Sequence, residues 1–262
     1  MKDIKKALKN GEVVMGVCCD ISDPSVVEIL GQTGWDNVII NCEGGTCSPF
    51  GAELENMIRA AYLADITPVV KVPENTSAMI ASAVKAGAKI VEVPKVNNKE
   101  DAIRAIKAIK YPPQGERMTC WGVTATGYGA VPWSEHVVKA NEEVSIFAVL
   151  EEQEAMDNME EILSVEGLEI VSIGWLDLAL RLGGVGDTNA EAMVTKYRQK
   201  LLDLCKDKGI AVIQGVNDAA TAKEAIKMGA RALLFGQDDM TMLRNTSLKR
   251  VEELRQAIKE AK

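Results

Sequence analysis

The chain has 262 residues and a formal charge of −8, a size that suits one large α/β domain or two small ones. An acidic chain without a basic block is a poor candidate for binding nucleic acid or an anionic membrane, and it contains no run of about 18 apolar residues to cross one. Hydrophobic residues make up 47% of the chain and aromatic residues only 4%. Such a composition is typical of parallel sheets covered by helices.

The N-terminal segment, MKDIKKALKN, lacks the apolar stretch of a signal peptide and predicts a short amphipathic helix. Six cysteines are present and none forms a CxxC pair: Cys18, Cys19, Cys42, Cys47, Cys120 and Cys205. We expect reduced thiols in a cytoplasmic protein. A redox or nucleophilic role for Cys42 and Cys47, which flank a Gly-rich loop, remains an alternative.

Eight short apolar runs, rich in Val and Ile, alternate with helical patterns. They span residues 13–19, 35–41, 66–72, 88–94, 144–150, 168–174, 210–215 and 231–236. Strands that are buried on both faces have this character. The count predicts an α/β fold, a (β/α)8 TIM barrel forming a single domain over residues 1–262. The alternation by itself also fits an open doubly wound sheet.

Helices are predicted between the strands, for example over residues 52–63 and 190–205, where apolar residues recur at spacings of three and four. Gly87 and Gly229 lie where helices should end before a strand. Residues 111–133 lack periodicity, and we expect this long loop, with Trp121, Tyr128 and Trp133, to cover the barrel mouth. A charged amphipathic helix over 246–261 follows the eighth strand and has no evident partner.

Active sites of such barrels form at the C-terminal ends of the strands. The polar residues predicted there are Asp20, Asn41, Glu43, Lys71, Glu92, Lys95, Glu151, Glu152, Asp177, Gln214, Asp238 and Asp239. This set is rich in carboxylates and holds no histidine, so it suits Mg²⁺ or Mn²⁺ better than Zn²⁺. Any one of these carboxylates also fits a helix cap or a solvated rim charge.

Several segments, in this order, resemble the HpcH/HpaI aldolase/citrate lyase family. They are GWDNVIINCEGG (34–45), VVKVP (69–73), AVKAGAKIVEVPKV (83–96), YPPQGER (111–117), AVLEEQEAMDN (148–158) and VEGLEIVSIGWLDLALRLG (165–183). The resemblance covers nearly the whole chain. It implies a barrel whose C-terminal helix is exchanged between subunits of a homo-oligomer, a hexamer or trimer of dimers.

The resemblance also implies a site. Glu151 and Asp177 would hold a divalent metal ion, Mg²⁺, Mn²⁺ or Co²⁺. Backbone amides around Gly174, Trp175 and Leu176 would bind the carboxylate of a small 2-oxo acid such as pyruvate, the partner of an aldehyde. Arg117, in the YPPQGER motif, is a further candidate for substrate binding. A divalent cation suits this chemistry because it stabilises the enolate that forms when a carbon–carbon bond breaks beside a carbonyl.

The chain departs from the family at three positions. Gly44 stands where the family has its general-base histidine, and Lys85 stands at the position of that histidine's acidic partner. Lys71 replaces the arginine that polarises the carbonyl, which keeps the charge but loses the bidentate fork. The usual His/Asp proton dyad is therefore replaced, and Lys71 and Glu43 become the candidate catalytic residues.

Three functions are compatible with these residues. The first is a metal-dependent carbon–carbon lyase that acts through a pyruvate-enolate-like intermediate, with another proton carrier such as Glu43. The second is an aldolase in which Lys71 or Lys95 forms a Schiff base. The third is a non-catalytic relative that binds a metal and an oxo-acid.

Overall fold

The computed structural model describes residues 1–261; Lys262, the last residue of the predicted domain, lies outside the described residues. Eight parallel strands follow one another in chain order and close into a barrel in which β8 pairs with β1. The strands are β1 Val14–Cys19, β2 Asn37–Asn41, β3 Thr67–Lys71, β4 Ile90–Val93, β5 Ser145–Leu150, β6 Ile170–Ile173, β7 Ala211–Val216 and β8 Ala232–Phe235. Seven lie within their predicted runs and β7 extends one residue past its run, so the predicted (β/α)8 barrel is confirmed.

Twelve α-helices are described within residues 1–261. They are α1 Ile4–Lys9, α2 Pro24–Gln32, α3 Ala52–Leu63, α4 Ser77–Ala86, α5 Lys99–Ile109, α6 Trp133–Glu143, α7 Gln153–Asp157, α8 Met159–Ile162, α9 Trp175–Leu182, α10 Thr188–Lys206, α11 Ala219–Met228 and α12 Asp239–Glu260. The glycines expected to end α4 and α11 do so: Gly87 and Gly229 have φ of 113° and 110°. A side chain rarely adopts that backbone conformation.

The barrel interior and the helix layer form separate cores. Val14, Ile39, Val69, Ile90 and Phe147 pack together inside the barrel. The other face of the strands packs against the helices in a larger cluster. Because side chains alternate along a strand, a residue two positions after an interior one also faces the interior. This rule places Lys71, two residues after Val69, and Glu92, two after Ile90, inside the barrel near its C-terminal end.

The C-terminal helix begins earlier than predicted, at Asp239, and has Asp238 as its N-cap. Asp239 is the only buried residue of α12. Large apolar side chains farther along remain exposed, including Leu243, Val251, Leu254 and Ile258. The part of the chain that the structure describes has no helix that is long and apolar enough to cross a membrane.

The loop over residues 111–133 does not cover the mouth of its own barrel, and that expectation is wrong. Its residues 124–129 form a 3-10 helix, in which the Tyr128 hydroxyl accepts a hydrogen bond from Arg59 of α3 at 3.1 Å. Trp121 stacks on Trp133 with ring centroids 5.4 Å apart, and Trp133 packs against the buried His136. The aromatic residues therefore find their partners among the outer helices.

Candidate functional site

Lys71 is the centre of a charged cluster at the C-terminal ends of the strands. Its Nζ lies 2.5 Å from a carboxylate oxygen of Glu43 and 4.0 Å from Oε1 of Glu92. Lys71 and Glu92 are direct neighbours on β3 and β4, whereas Glu43 lies on the loop after β2. The two catalytic residues predicted from the sequence, Lys71 and Glu43, are thus in contact.

This cluster keeps Lys71 protonated. Burial by itself would lower the pKa of Lys71, but the carboxylates of Glu92, Glu43 and Glu151 outweigh burial and raise that pKa above its ordinary value. A Schiff base requires a neutral amine. The surroundings of Lys71 therefore favour a fixed cation and oppose the Schiff-base mechanism at this residue.

Glu151 directly follows β5 and is buried, with 6% of its surface exposed. Its Oε1 accepts a hydrogen bond from the backbone N–H of Lys95 at 3.0 Å. Lys95 has a φ of 52°, an uncommon conformation for a residue with a side chain. This backbone geometry aims the amide at the carboxylate and fixes the position of Glu151.

Gly174 lies against Glu151. A Cβ at position 174 would come within 2.8 Å of both Cβ and Oε2 of Glu151, so only glycine fits here without a shift. Gly174 is also the N-cap of α9, and no side chain caps that helix. The close approach therefore brings the carboxylate beside the uncapped N-terminus of α9.

Asp177 lies in the first turn of α9 and is exposed. Trp175 and Leu176 precede it with 44% and 47% of their surfaces exposed. Burial raises the pKa of Glu151, and the negative charge of Asp177 adds to the effect, partly offset by Lys71 and the Lys95 amide. The structure thus brings Glu151 close to Asp177 and the first turn of α9. The roles that the resemblance gives these residues stay a prediction.

The loop that carries Glu43 is held by Asn41. The Asn41 Oδ1 accepts hydrogen bonds from the backbone N–H groups of Glu43 and Gly44, both at 3.0 Å, and its Nδ2 donates to Asp20 at 2.8 Å. A Cβ at Gly44 would meet only Asn41 Nδ2, at 3.6 Å. A side chain would fit at position 44, so steric exclusion does not explain why this chain has glycine where the family has histidine.

Two further residues singled out in the sequence, Lys85 and Arg117, lie away from this site within one chain. Lys85 lies in the last turn of α4, at the N-terminal end of β4, whereas Gly44 follows the C-terminal end of β2. These two dyad positions are therefore not neighbours within one chain.

Arg117 is also remote from the site within its own chain. It is buried, with its guanidinium 4.4 Å from the centre of the Tyr111 ring. Its backbone N–H donates to Lys110, and Lys110 in turn bonds to the carbonyl of Val144, just before β5 begins. Arg117 thus lies near the N-terminal end of β5, whereas Glu151 follows the C-terminal end of that strand.

Three contributors to the site had no role assigned from the sequence: Glu92, the backbone amide of Lys95, and Asn41. Glu92 carried a signal, because it interrupts the apolar run of a strand buried on both faces. Asn41 carried a weaker one, as a polar residue at a strand end. The role of the Lys95 amide depends on the positive φ of Lys95, which no pattern in the sequence predicts.

A metal ion at this site would have two protein ligands. Within residues 1–261, no group of three or more His, Cys, Asp or Glu side chains is arranged to hold one. Glu151 and Asp177 fit the role as a pair, because the negative charge of Asp177 helps to raise the pKa of Glu151 and a cation would balance both carboxylates. Their oxygen donors suit Mg²⁺ or Mn²⁺.

Comparison with known proteins identifies the family of the chain. Residues 15–245 match the family model of the HpcH/HpaI aldolase/citrate lyase family. A hydroxypyruvate/pyruvate aldolase of Roseobacter denitrificans is 28% identical, with 94% of each chain covered. A 5-keto-4-deoxy-D-glucarate aldolase of Escherichia fergusonii is 30% identical, covering 89% of this chain and 90% of that one.

A solved structure gives the same result for the fold. The HpcH/HpaI aldolase from Desulfitobacterium hafniense superposes with a TM-score of 0.88 at 28% identity, and 96% of each chain is covered. The family names and the names of the relatives confirm the predicted enzyme class, a carbon–carbon lyase. The chain therefore belongs to the HpcH/HpaI aldolase/citrate lyase family.

Proposed function

We propose that this protein is a divalent-metal-dependent, aldolase-type lyase that cleaves a small 4-hydroxy-2-oxo acid into pyruvate and an aldehyde. The relatives named above act on oxo-acids, and another, from Novosphingobium aromaticivorans, is named a 4-hydroxy-2-oxovalerate aldolase. The observation that carries the proposal is the grouping of Glu151 and Asp177 beside the uncapped start of α9, with the Lys71 cation nearby.

Glu151 and Asp177 would hold the metal, Mg²⁺ or Mn²⁺, with Co²⁺ as a further candidate. Within residues 1–261, Glu151 accepts a single hydrogen bond, at Oε1, which leaves Oε2 for a cation. When bound, the metal would supply positive charge next to the substrate carbonyl, which lowers the energy of an enolate.

The protein's own groups would bind and orient the substrate. The substrate carboxylate would accept hydrogen bonds from the backbone amides of Trp175 and Leu176, because these belong to the first turn of α9 and a helix N-terminus attracts anions. Lys71 would lie beside the keto oxygen as a permanent cation, in the role that the family gives to an arginine. A lysine makes this contact as a point charge without a fixed fork.

Glu43 is the proposed proton carrier in place of the His/Asp dyad. Its carboxylate is the more exposed of the two partners of Lys71. It would take the proton of the 4-hydroxyl group as the C3–C4 bond breaks and the electron pair moves toward the carbonyl. The same proton would return to C3, so that pyruvate and the aldehyde leave and Glu43 is an anion again.

The proposal is tested with metal-free protein to which Mn²⁺ is restored. We expect release of pyruvate from 4-hydroxy-2-oxovalerate and exchange of the pyruvate methyl protons in D₂O, followed by NMR. Glu151→Gln should reduce both by more than about a hundredfold, since even the outer partners of a metal matter by 10–100-fold. Glu154→Gln, in which an exposed carboxylate close by along the chain is neutralised, is the control and should match the wild type.

Persistent exchange in Glu151→Gln at saturating Mn²⁺ would overturn the ligand assignment. The non-catalytic alternative makes a different prediction: Mn²⁺ and pyruvate would raise the melting temperature, but no methyl exchange would occur. A mass adduct after borohydride treatment with pyruvate would instead support a Schiff base, which Lys95 could form.

We also propose that a second copy of this chain covers α12, as in a homo-oligomer, a hexamer or trimer of dimers with exchanged C-terminal helices. The apolar residues Leu243, Leu254 and Ile258 are 58–66% exposed over a 22-residue helix, which is unfavourable in an isolated chain. Sedimentation should show an oligomer that Leu254→Glu weakens, while Glu253→Gln, one position away, leaves it intact. A monomeric wild type would refute the assembly.

A further inference from the structure

Glu92 is a buried carboxylate that the proposed reaction leaves without a role. It lies on β4 between Val91 and Val93, faces the barrel interior, and is only 6% exposed. Two residues earlier, Ile90 packs in the interior core. Glu92 is therefore one residue before the end of β4, level in register with Lys71 at the end of β3.

The hydrogen bonding of Glu92 is incomplete. Its Oε1 is 4.0 Å from Lys71 Nζ, and its Oε2 is buried with no hydrogen-bond partner among residues 1–261. Burial raises the pKa of Glu92 to about 7, with Lys71 opposing the rise. A buried charge that is so poorly paired does not help the fold, and a well-packed apolar side chain would be at least as stable. Stability is therefore a weak explanation for this residue.

Lys71 lies between two carboxylates that differ in access. The Glu43 side chain, on the outer side, is 31% exposed and close to Nζ, while that of Glu92, on the inner side, is 8% exposed. Glu43 is on a loop and Glu92 is on a strand. When Glu43 accepts a proton it becomes neutral and no longer balances the charge of Lys71. Glu92 is then the remaining carboxylate that balances the charge of Lys71.

We propose that Glu92 is a positioning residue: in its ionised form it is the counter-ion that keeps Lys71 charged and in place at the barrel mouth while Glu43 exchanges a proton with the substrate. This inference rests on the proposed function. Glu92 lies beside Lys71 on the neighbouring strand, and the proposed reaction gives it no contact with the substrate. The titratable groups that face Lys71 are Glu43, Glu92, Glu151 and the thiol of Cys18, and of these Glu43 and Glu92 are its ion-pair partners.

The test combines Glu92→Gln with the rate of pyruvate release as a function of pH. Because Glu92 helps to raise the pKa of Lys71, its loss should let Lys71 deprotonate at lower pH. We expect the alkaline limb of the profile to move down by about 1–3 pH units, the range of a neighbouring charge. We expect kcat to fall by about 10–100-fold, as for a displaced catalytic group, with little change in KM.

A rescue distinguishes positioning from general damage. Arginine stays protonated throughout the accessible pH range, so Lys71→Arg combined with Glu92→Gln should restore the alkaline limb without restoring full kcat. The matched control is Glu169→Gln, which removes a carboxylate paired with lysines at the opposite end of the barrel. It should leave the pH profile unchanged. Glu92→Leu serves as a second variant if Glu92→Gln folds poorly.

Two results would overturn the inference. One is an unchanged pH profile and kcat in Glu92→Gln. The other is complete loss of methyl exchange with an unmoved alkaline limb, which would make Glu92 the proton carrier itself. Titration of ¹³C-methylated Lys71 by NMR, assigned with Lys71→Arg, does not depend on turnover. A lowered Lys71 pKa in Glu92→Gln alongside an inactive wild type would refute the proposed function and retain the counter-ion role.

Discussion

The two ends of the barrel contain charge clusters in which the signs of the central and surrounding groups are reversed. At the C-terminal ends of the strands, Lys71 lies between the carboxylates of Glu43 and Glu92. At the N-terminal ends, Glu169 lies between Lys5 and Lys9, with Nζ to carboxylate oxygen distances of 2.9 and 3.4 Å. One cluster surrounds a cation with anions, and the other surrounds an anion with cations.

The clusters differ in how completely their buried carboxylates are paired. Glu169 accepts a further hydrogen bond from Ser145 at 2.5 Å, and although burial opposes it, these contacts hold the pKa of Glu169 below its usual value. Glu92 has an oxygen without a hydrogen-bond partner among residues 1–261 and a pKa raised to about 7. Poorly satisfied charge is expected at functional sites and well-satisfied charge at structural ones. This contrast is what we expect if the N-terminal end of the barrel serves stability and the C-terminal end serves the proposed chemistry.

The largest expected difference between the ends is in activity. Lys71→Met removes the cation beside the substrate carbonyl and should lower kcat by about 10²–10³-fold, the cost of losing one preorganised charge-stabilising group. Lys5→Met, at the other end, should leave kcat unchanged and lower the melting temperature. Pyruvate release and thermal unfolding of both variants measure the contrast. Equal losses of activity in Lys71→Met and Lys5→Met would contradict this difference between the two ends.

Stability should change with opposite signs at the two ends. Glu169→Leu leaves two lysines and Ser145 without their acceptor and should destabilise the protein by about 1.5–3 kcal/mol, the usual worth of charged hydrogen bonds. Glu92→Leu removes a poorly paired carboxylate and should raise the melting temperature by about 2–4 °C if it gains about 1 kcal/mol. Thermal unfolding at one protein concentration tests both variants. A lower melting temperature for Glu92→Leu would show that Glu92 supports the fold.

A further contrast between the two ends is the pH dependence of their contributions to stability, beginning with the gain from Glu92→Leu. Below the ordinary value of 4.5, Glu92 is protonated in both the folded and the unfolded chain. Between 4.5 and about 7 only the unfolded chain ionises, so the folded state loses stability as the pH rises. The advantage of Glu92→Leu over the wild type should therefore grow from pH 4.5 to 7 and then stay constant.

Glu169 should show the opposite trend. Its lowered pKa means that its contribution is complete above the ordinary value and is lost as the pH falls through the folded-state value. Melting temperatures of wild type and Glu169→Leu should thus converge in acid. A gain from Glu92→Leu that does not change with pH would contradict the raised pKa of Glu92.

The sequence predicted the barrel because its strands are buried on both faces and read as apolar runs. It predicted which polar residues meet, because parallel strands in a closed barrel end at the same edge. Lys71 and Glu43 illustrate this: their contact follows from the ends of β2 and β3. The interior position of Glu92 could in principle have been predicted, since it lies two residues after Ile90 and so faces the same side of the strand.

Other features could not be obtained this way. The path of residues 111–133 depends on aromatic contacts with His136 and on the hydrogen bond between Tyr128 and Arg59, which are tertiary contacts without a local signal. The amide of Lys95 reaches Glu151 through a left-handed backbone conformation. Such details are set by packing, and composition and periodicity do not contain them.

The buried Asp239 extends the influence of α12 into the barrel mouth. Its Oδ1 accepts a hydrogen bond from the backbone of Asp20, Asp20 accepts one from Asn41, and Asn41 accepts one from the backbone of Glu43. Three hydrogen bonds thus connect the first residue of the terminal helix to the loop beside Lys71. Deleting that helix from Asp239 onward would remove these hydrogen bonds at the barrel mouth together with the proposed assembly surface. A truncated chain would therefore not be a monomeric but otherwise normal enzyme.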